Sequence, residues 1–221
     1  SKQLERGMCK NRDCLYPKPC RELYVDHSDY LDVLKQVRAL PKVKKVFIRS
    51  GIRYDYLMAD RDRTFIKELC ANHVSGTLKV APEHSSPEVL SYMHKPSIDV
   101  FTEFAKEYFR ENDRLGKKQY LIPYLISSHP GSTLRDAVEL AEFLNRYGFV
   151  PDQVQDFYPT PATLATCMYY TEMNPFTGEN VYVAKDMEEK KMQRALIHYN
   201  RPENRQLVKK ALIKAGREDL I

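Results

Sequence analysis

Four short apolar runs, each closed by a turn signal and followed by a stretch of helical period, organise this chain. They are Lys45–Arg49 (KVFIR), Thr77–Val80 (TLKV), Tyr120–Ile126 (YLIPYLI) and Val154–Tyr158 (VQDFY). Their starts lie roughly 30 to 45 residues apart, about one strand plus its crossover helix, which predicts a parallel sheet. Phe101, Phe104, Ala105 and Tyr108 recur at i, i+3, i+4 and i+7 with Lys106, Glu107 and Arg110 around them, predicting a helix that covers the sheet. Ser132 and Thr133 suit the start of the next helix and Asp136 its first turn. Leu134, Ala137, Val138, Ala141 and Leu144 form its apolar face, and Gly148 stops it. An earlier helix is predicted over Tyr30–Leu40, with Leu31, Leu34 and Val37 inward and Pro41 after it. Beyond Pro159 the pattern changes. A Pro-, Thr- and Tyr-rich stretch, Tyr158–Asn180, leads to helices at about Met187–Tyr199 and Glu203–Ala215, with Gly216 placed as a C-cap. This part reads as a C-terminal appendage.

Composition narrows the class. The chain has 221 residues, 43% apolar and 29% charged, enough to bury a core, and only 8 glycines, which excludes collagenous and low-complexity chains. No apolar run approaches the ~20 residues of a membrane span, and Ser1–Cys20 lacks the apolar stretch of a signal peptide, so the expected setting is the cytosol without membrane contact. The net charge of +5 selects an anionic partner only if the charges cluster. Lys42, Lys44, Lys45 and Lys209, Lys210, Lys214 alternate with apolar residues at element spacing, as solvated faces do.

Two sets of residues carry candidate chemistry. Cys9, Cys14 and Cys20 lie in CKNRDCLYPKPC, a segment poor in apolar residues, with four and then five residues between them. In a reducing compartment such thiols point to zinc or an iron-sulfur cluster, with a fourth ligand from His27, from outside the chain, or from an open position. Cys70 and Cys167 are isolated and read as small buried residues. The second set follows the strands, where parallel sheets place ligands: Arg49-Ser50-Gly51, Glu83-His84-Ser85, Ser127-Ser128-His129-Pro130-Gly131-Ser132 and Tyr158-Pro159-Thr160. Taken singly these are also ordinary cap, turn and rim residues. Gly131 ahead of a helix would let backbone N–H groups approach an anionic or carboxylate group.

The strings KKVFIRSGIRYD (Lys44–Asp55), LKVAPEH (Leu78–His84), QYLIPYLISSHPGS (Gln119–Ser132), DQVQDFYPTPAT (Asp152–Thr163) and MYYTEMNPF (Met168–Phe176) resemble the YgiQ-like radical S-adenosylmethionine (SAM) proteins, from Cys9 to the end. The resemblance implies a (β/α) barrel enzyme in which a 4Fe-4S cluster cleaves SAM to a 5'-deoxyadenosyl radical. The CxxxCxxC signature that holds this cluster does not occur here, and Cys9, Cys14 and Cys20 resemble instead a cysteine-rich insertion ahead of the third barrel strand. The implied fold class is α/β: a partial TIM-like barrel of about four parallel strands with covering helices and a helical C-terminal extension. The implied parts are a cysteine-rich insertion (1–27), the C-terminal half of the barrel (28–165) and the extension (166–221).

By position, the resemblance places Arg49 and Ser50 on the third strand tip and Glu83 after the fourth, against the ribose or amino-acid part of SAM. Ser127, His129 and Gly131 fall on the fifth-strand turn facing the adenosine, and Tyr158 on the sixth tip. Glu83 and Arg49 are expected to pair with the SAM ammonium and carboxylate. The chain then reads as the C-terminal fragment of an iron-sulfur oxidoreductase, inactive alone. It awaits its N-terminal half and an unidentified substrate, its cysteine loop holds an auxiliary cluster, zinc or nothing, and its open sheet edge invites a homodimer. A zinc-stabilised α/β interaction module and an RNA-binding module are the alternatives.

Overall fold

Residues 9, 12–152 and 154–221 are described by the structure, a computed structural model. Helix α1 spans Ser28–Ala39, α2 Tyr54–Ala59 and α3 Thr64–Glu68, the last running into a π-helical turn at Leu69–His73. Strand β1 (Thr77–Glu83) precedes α4 (Pro87–Tyr92) and α5 (Ile98–Leu115), then come β2 (Tyr120–Ser127), α6 (Leu134–Tyr147), β3 (Val154–Asp156), α7 (Leu164–Thr171), α8 (Met187–Ile197) and α9 (Arg205–Lys214). The three strands form one sheet in the order β1-β2-β3, and β2 and β3 run parallel in the register Leu125 with Val154, Ile126 with Gln155 and Ser127 with Asp156. This is a mixed α/β fold on a parallel sheet.

The described chain divides into two compact units: the residues up to Ala81 with Pro96–Ile122, and Pro82–Lys95 with Pro123–Ile221. In the first, α5 buries Phe101, Phe104, Ala105 and Tyr108, the stripe read from the sequence, and Tyr54 of α2 meets Phe101 edge-on at 5.6 Å. Each of these large side chains contributes roughly 1.5–3 kcal/mol of apolar burial. The Ser97 hydroxyl caps α5 at its start, and Gly116, at φ 62°, ends it. In the second unit, Thr133 and Asp136 close a reciprocal capping box on α6. Leu134, Ala137 and Val138 of α6 pack with Met192 and Leu196 of α8 and Ala211 and Leu212 of α9, so both C-terminal helices share one core with α6.

Three expectations are corrected. Lys45–Arg49 is not a strand: Ile48 N–H donates to the carbonyl of His73, the last residue of the π-helical turn, Phe47 is 41% exposed, and the segment joins no ladder among the described residues. The nearest sheet-like contact is the isolated parallel bridge of Ile52 with Val80. Val37, expected inward on α1, is 38% exposed, whereas Leu31 and Leu34 are buried. Cys70 is fully buried but Cys167 is exposed, because α7 buries only Met168.

Candidate functional site at the carboxyl ends of the strands

β1 ends in a strained residue. Glu83 stands at φ 70°, and His84 N–H donates across it to the Pro82 carbonyl at 2.9 Å, the i to i+2 bond of a γ-turn. A non-glycine residue held there costs roughly 1–3 kcal/mol, and such costs concentrate at functional sites. The turn lifts the Glu83 carboxylate off the ladder while keeping it half-buried. Burial pushes the Glu83 carboxyl up from its ordinary value, and Lys95 Nζ, 3.6 Å away, opposes that shift.

β2 ends in a second constrained turn. Ser128 lies at φ 57° and Gly131 at φ 90°. The Ser127 hydroxyl donates to Asp156 Oδ1 at 2.5 Å and its carbonyl accepts from Phe157 N–H at 2.8 Å, tying the turn to the end of β3. His129 is 4% exposed and stands edge-on to Phe157. Its Nδ1 lies 2.8 Å from the Pro130 carbonyl, which only accepts, so Nδ1 carries the proton and Nε2 keeps its lone pair. Burial lowers the His129 imidazole to about 4, so it is neutral at pH 7. His84 is 1% exposed and also lowered to about 4 by burial. Its Nδ1 accepts from Ser86 N–H at 3.0 Å, giving the opposite tautomer.

Glu83, Lys95 and His129 line a cavity of about 320 Å³ with Tyr92–His94, Ile126 and Thr163–Ala165, within the range of small-molecule sites. Phe176 stacks on His94, ring centroids 5.7 Å apart. One carboxylate, one ammonium, a neutral imidazole and an apolar floor can hold a small zwitterion. Of the residues expected at this edge, Glu83 and His129 line the cavity, while Ser127 and Gly131 build the turn behind it. Tyr158 is 77% exposed. Arg49 and Ser50 are exposed residues of the first unit. Lys95 and the Tyr92–His94 run carry no strand-tip signal in the sequence, since a helix and a turn separate them from β1.

Cys14 and Cys20 are drawn together by their backbones, the Cys20 N–H donating to the Cys14 carbonyl at 2.8 Å. Cys9 and Cys14 are exposed and Cys20 half-buried, and among the described residues no three His, Cys, Asp or Glu side chains converge on a metal position. The three thiols as placed do not fit a cluster or a zinc ion. His27 is engaged elsewhere, its Nδ1 2.6 Å from Asp60 Oδ2 and its ring 4.7 Å from that of Phe65.

Over 219 residues, 99% of its length, the chain is 57% identical to a UPF0313 protein of Clostridium botulinum (strain 657 / Type Ba4), of which it covers 34%. Over 220 residues it is 58% identical to a UPF0313 protein of Clostridium perfringens (strain SM101 / Type A), of which it covers 33%. Its close relatives are UPF0313 proteins. The chain spans about a third of the length of these relatives. Residues 152–221, from β3 through α9, match a domain of unknown function, DUF3362. Among the described residues no helix is long and apolar enough to cross a membrane.

Proposed function

We propose that the chain is the C-terminal part of a longer radical SAM iron-sulfur enzyme, and that its strand-tip cavity is the side of an incomplete (β/α) barrel that faces SAM and substrate. The UPF0313 relatives support the reading, because UPF0313 is the YgiQ family that the quoted strings resemble and because those relatives are about three times longer. The observation that carries it is Glu83, a carboxylate held at a strained backbone angle at the carboxyl end of β1, half-buried and facing a cavity shared with a neutral histidine. In barrels of parallel strands this edge is where ligands bind.

SAM, when bound, supplies the sulfonium whose reductive cleavage starts radical chemistry. Glu83 would hold its ammonium, since an opposite charge in a partly desolvated cleft orients a cation and recovers some of the carboxylate's own desolvation cost. His129, neutral with Nε2 as acceptor, takes a hydrogen bond from a ligand hydroxyl or amine without adding charge. Ile126, Leu164 and Ala165 exclude water from the apolar part. The cysteine segment, with its ligands unconverged, enters no step.

The test is equilibrium binding of SAM to the full-length protein handled without oxygen. Glu83→Gln should weaken binding roughly 10- to 100-fold, the worth of a hydrogen bond to a charged group. Unchanged affinity in a folded Glu83→Gln protein overturns the assignment.

A further inference from the structure

We propose that the C-terminal segment matching DUF3362 fixes the site turn after β2, and that Gln193 on α8 is its positioning residue. The inference rests on the reading of that turn as part of the SAM-facing edge. Gln193 is a polar side chain with no exposure at all. Its Oε1 accepts from Ser128 N–H at 3.1 Å and from the Ser132 hydroxyl at 3.0 Å, and its Nε2 donates to the Ser132 carbonyl at 2.8 Å and to Glu189 Oε1 at 3.3 Å. One amide thus bridges both ends of the Ser128–Ser132 turn, across more than sixty residues of sequence.

The same segment grips the turn twice more. The Tyr182 carbonyl accepts from Gly131 N–H at 2.7 Å. Arg194, next to Gln193, donates to Asp156 Oδ2 at 2.7 Å while Asp156 Oδ1 holds the Ser127 hydroxyl. Ser127, Ser128, Gly131 and Ser132 are therefore all held directly or through one carboxylate by residues 152–221. The grip is rigid because α8 is locked by Met192 and Leu196 in the core it shares with α6 and α9. It also has work to do: Ser128 at φ 57° relaxes toward ordinary backbone unless its surroundings over-determine it. His129, which lines the cavity, hangs on this turn between the two Gln193 contacts.

The experiment compares backbone hydrogen exchange and SAM affinity in the full-length protein and its Gln193→Met variant, which keeps side-chain length and volume but offers neither the amide acceptor nor the donor. Exchange in residues 127–132 should rise at least about tenfold while the amides of α6, α8 and α9 keep their protection. SAM affinity should fall with it. Unchanged exchange at 127–132, or a rise spread evenly over the three helices, overturns the inference, because the first shows a turn that holds itself and the second a merely structural glutamine. Should Gln193→Met fail to fold, Ser132→Ala removes one contact from the turn's side, and the same local rise is expected or the inference falls. Failure of the wild-type protein to bind SAM overturns the functional reading alone, and the exchange result still decides whether Gln193 positions the turn.

Discussion

Replacing Gly131 with alanine tests whether the turn after β2 is as constrained as its contacts indicate. The residue sits at φ 90°, where L side chains are strained, and an added Cβ would lie 2.3 Å from Cδ2 and 2.6 Å from Cε2 of Tyr92. Those separations are about 1 Å inside ordinary carbon contact. The backbone contributes about 1–2 kcal/mol of destabilisation, and overpacking about 1–3 kcal/mol. The lost freedom of the unfolded chain returns about 0.4–1 kcal/mol. The net is a loss of about 3 kcal/mol, a large share of the 5–15 kcal/mol of a typical domain. For a chain of this size it lowers the melting temperature by about 6–12 °C. Thermal and urea unfolding of the purified chain measure it. The decisive comparison is the cycle with Tyr92→Ala, which removes the ring and so the overlap but leaves the backbone angle. A coupling of about 1–3 kcal/mol is expected, with the alanine at 131 better tolerated once the ring is gone. A Gly131→Ala chain within about 0.5 kcal/mol of wild type, or a cycle without coupling, refutes the constraint and shows a turn free to move away from Tyr92.

Acid should weaken the second unit through buried His84 and His129, with His198, also buried and lowered by burial, adding in the same direction. His84 and His129 are each lowered from 6.5 to about 4, so the folded state binds fewer protons than the unfolded chain; their contribution is complete above pH 6.5 and is lost as pH falls toward 4. Linkage sets the loss at roughly 3 kcal/mol per histidine. Urea midpoints between pH 7 and 4.5 measure it, and His84→Asn or His129→Asn should each flatten the slope; slopes equal to wild type in both refute the assignment. For the cysteine segment, the 221-residue chain reconstituted without oxygen should hold less than one equivalent of iron or zinc by elemental analysis, because its thiols do not converge. A full equivalent that disappears in the Cys9, Cys14, Cys20 triple-serine variant shows that they do converge in solution.

Where local chemistry decides structure, the sequence was a good guide. Helix α6 carries its cap, its apolar stripe and its stop within a span of sixteen residues, Thr133 to Gly148, and the structure has all three. The apolar run of β2 shows as clearly, and the structure adds which face is inward, with Leu121, Leu125 and Ser127 buried. Lys45–Arg49 has the composition of a strand, but a strand exists only if a neighbour accepts its hydrogen bonds, and composition does not report the neighbour. Helix α7 hides in the Pro- and Thr-rich stretch because its capping residue, Thr163, is of a type equally common in turns and loops. At the site, the polar tips Glu83 and His129 were legible from their place after apolar runs. The γ-turn at Glu83 was not, since glutamate gives no warning of a positive φ.

The least legible residue is the one that ties the site together. Gln193 sits on a helix whose pattern announces only amphipathic packing, and its partners in the turn lie 61 to 65 residues away. A buried amide with unmet hydrogen bonds costs about 1–3 kcal/mol per group, so Gln193 is stable in the core only with the turn folded beneath it. The dependence runs the other way as well, because Ser128 keeps its left-handed backbone only while its N–H has an acceptor in place. The strand tip and the C-terminal helices are therefore conditional on one another. A protein that evolved the turn for binding would have to keep the helix, which gives a physical reason for a segment of otherwise unassigned purpose to accompany the sheet.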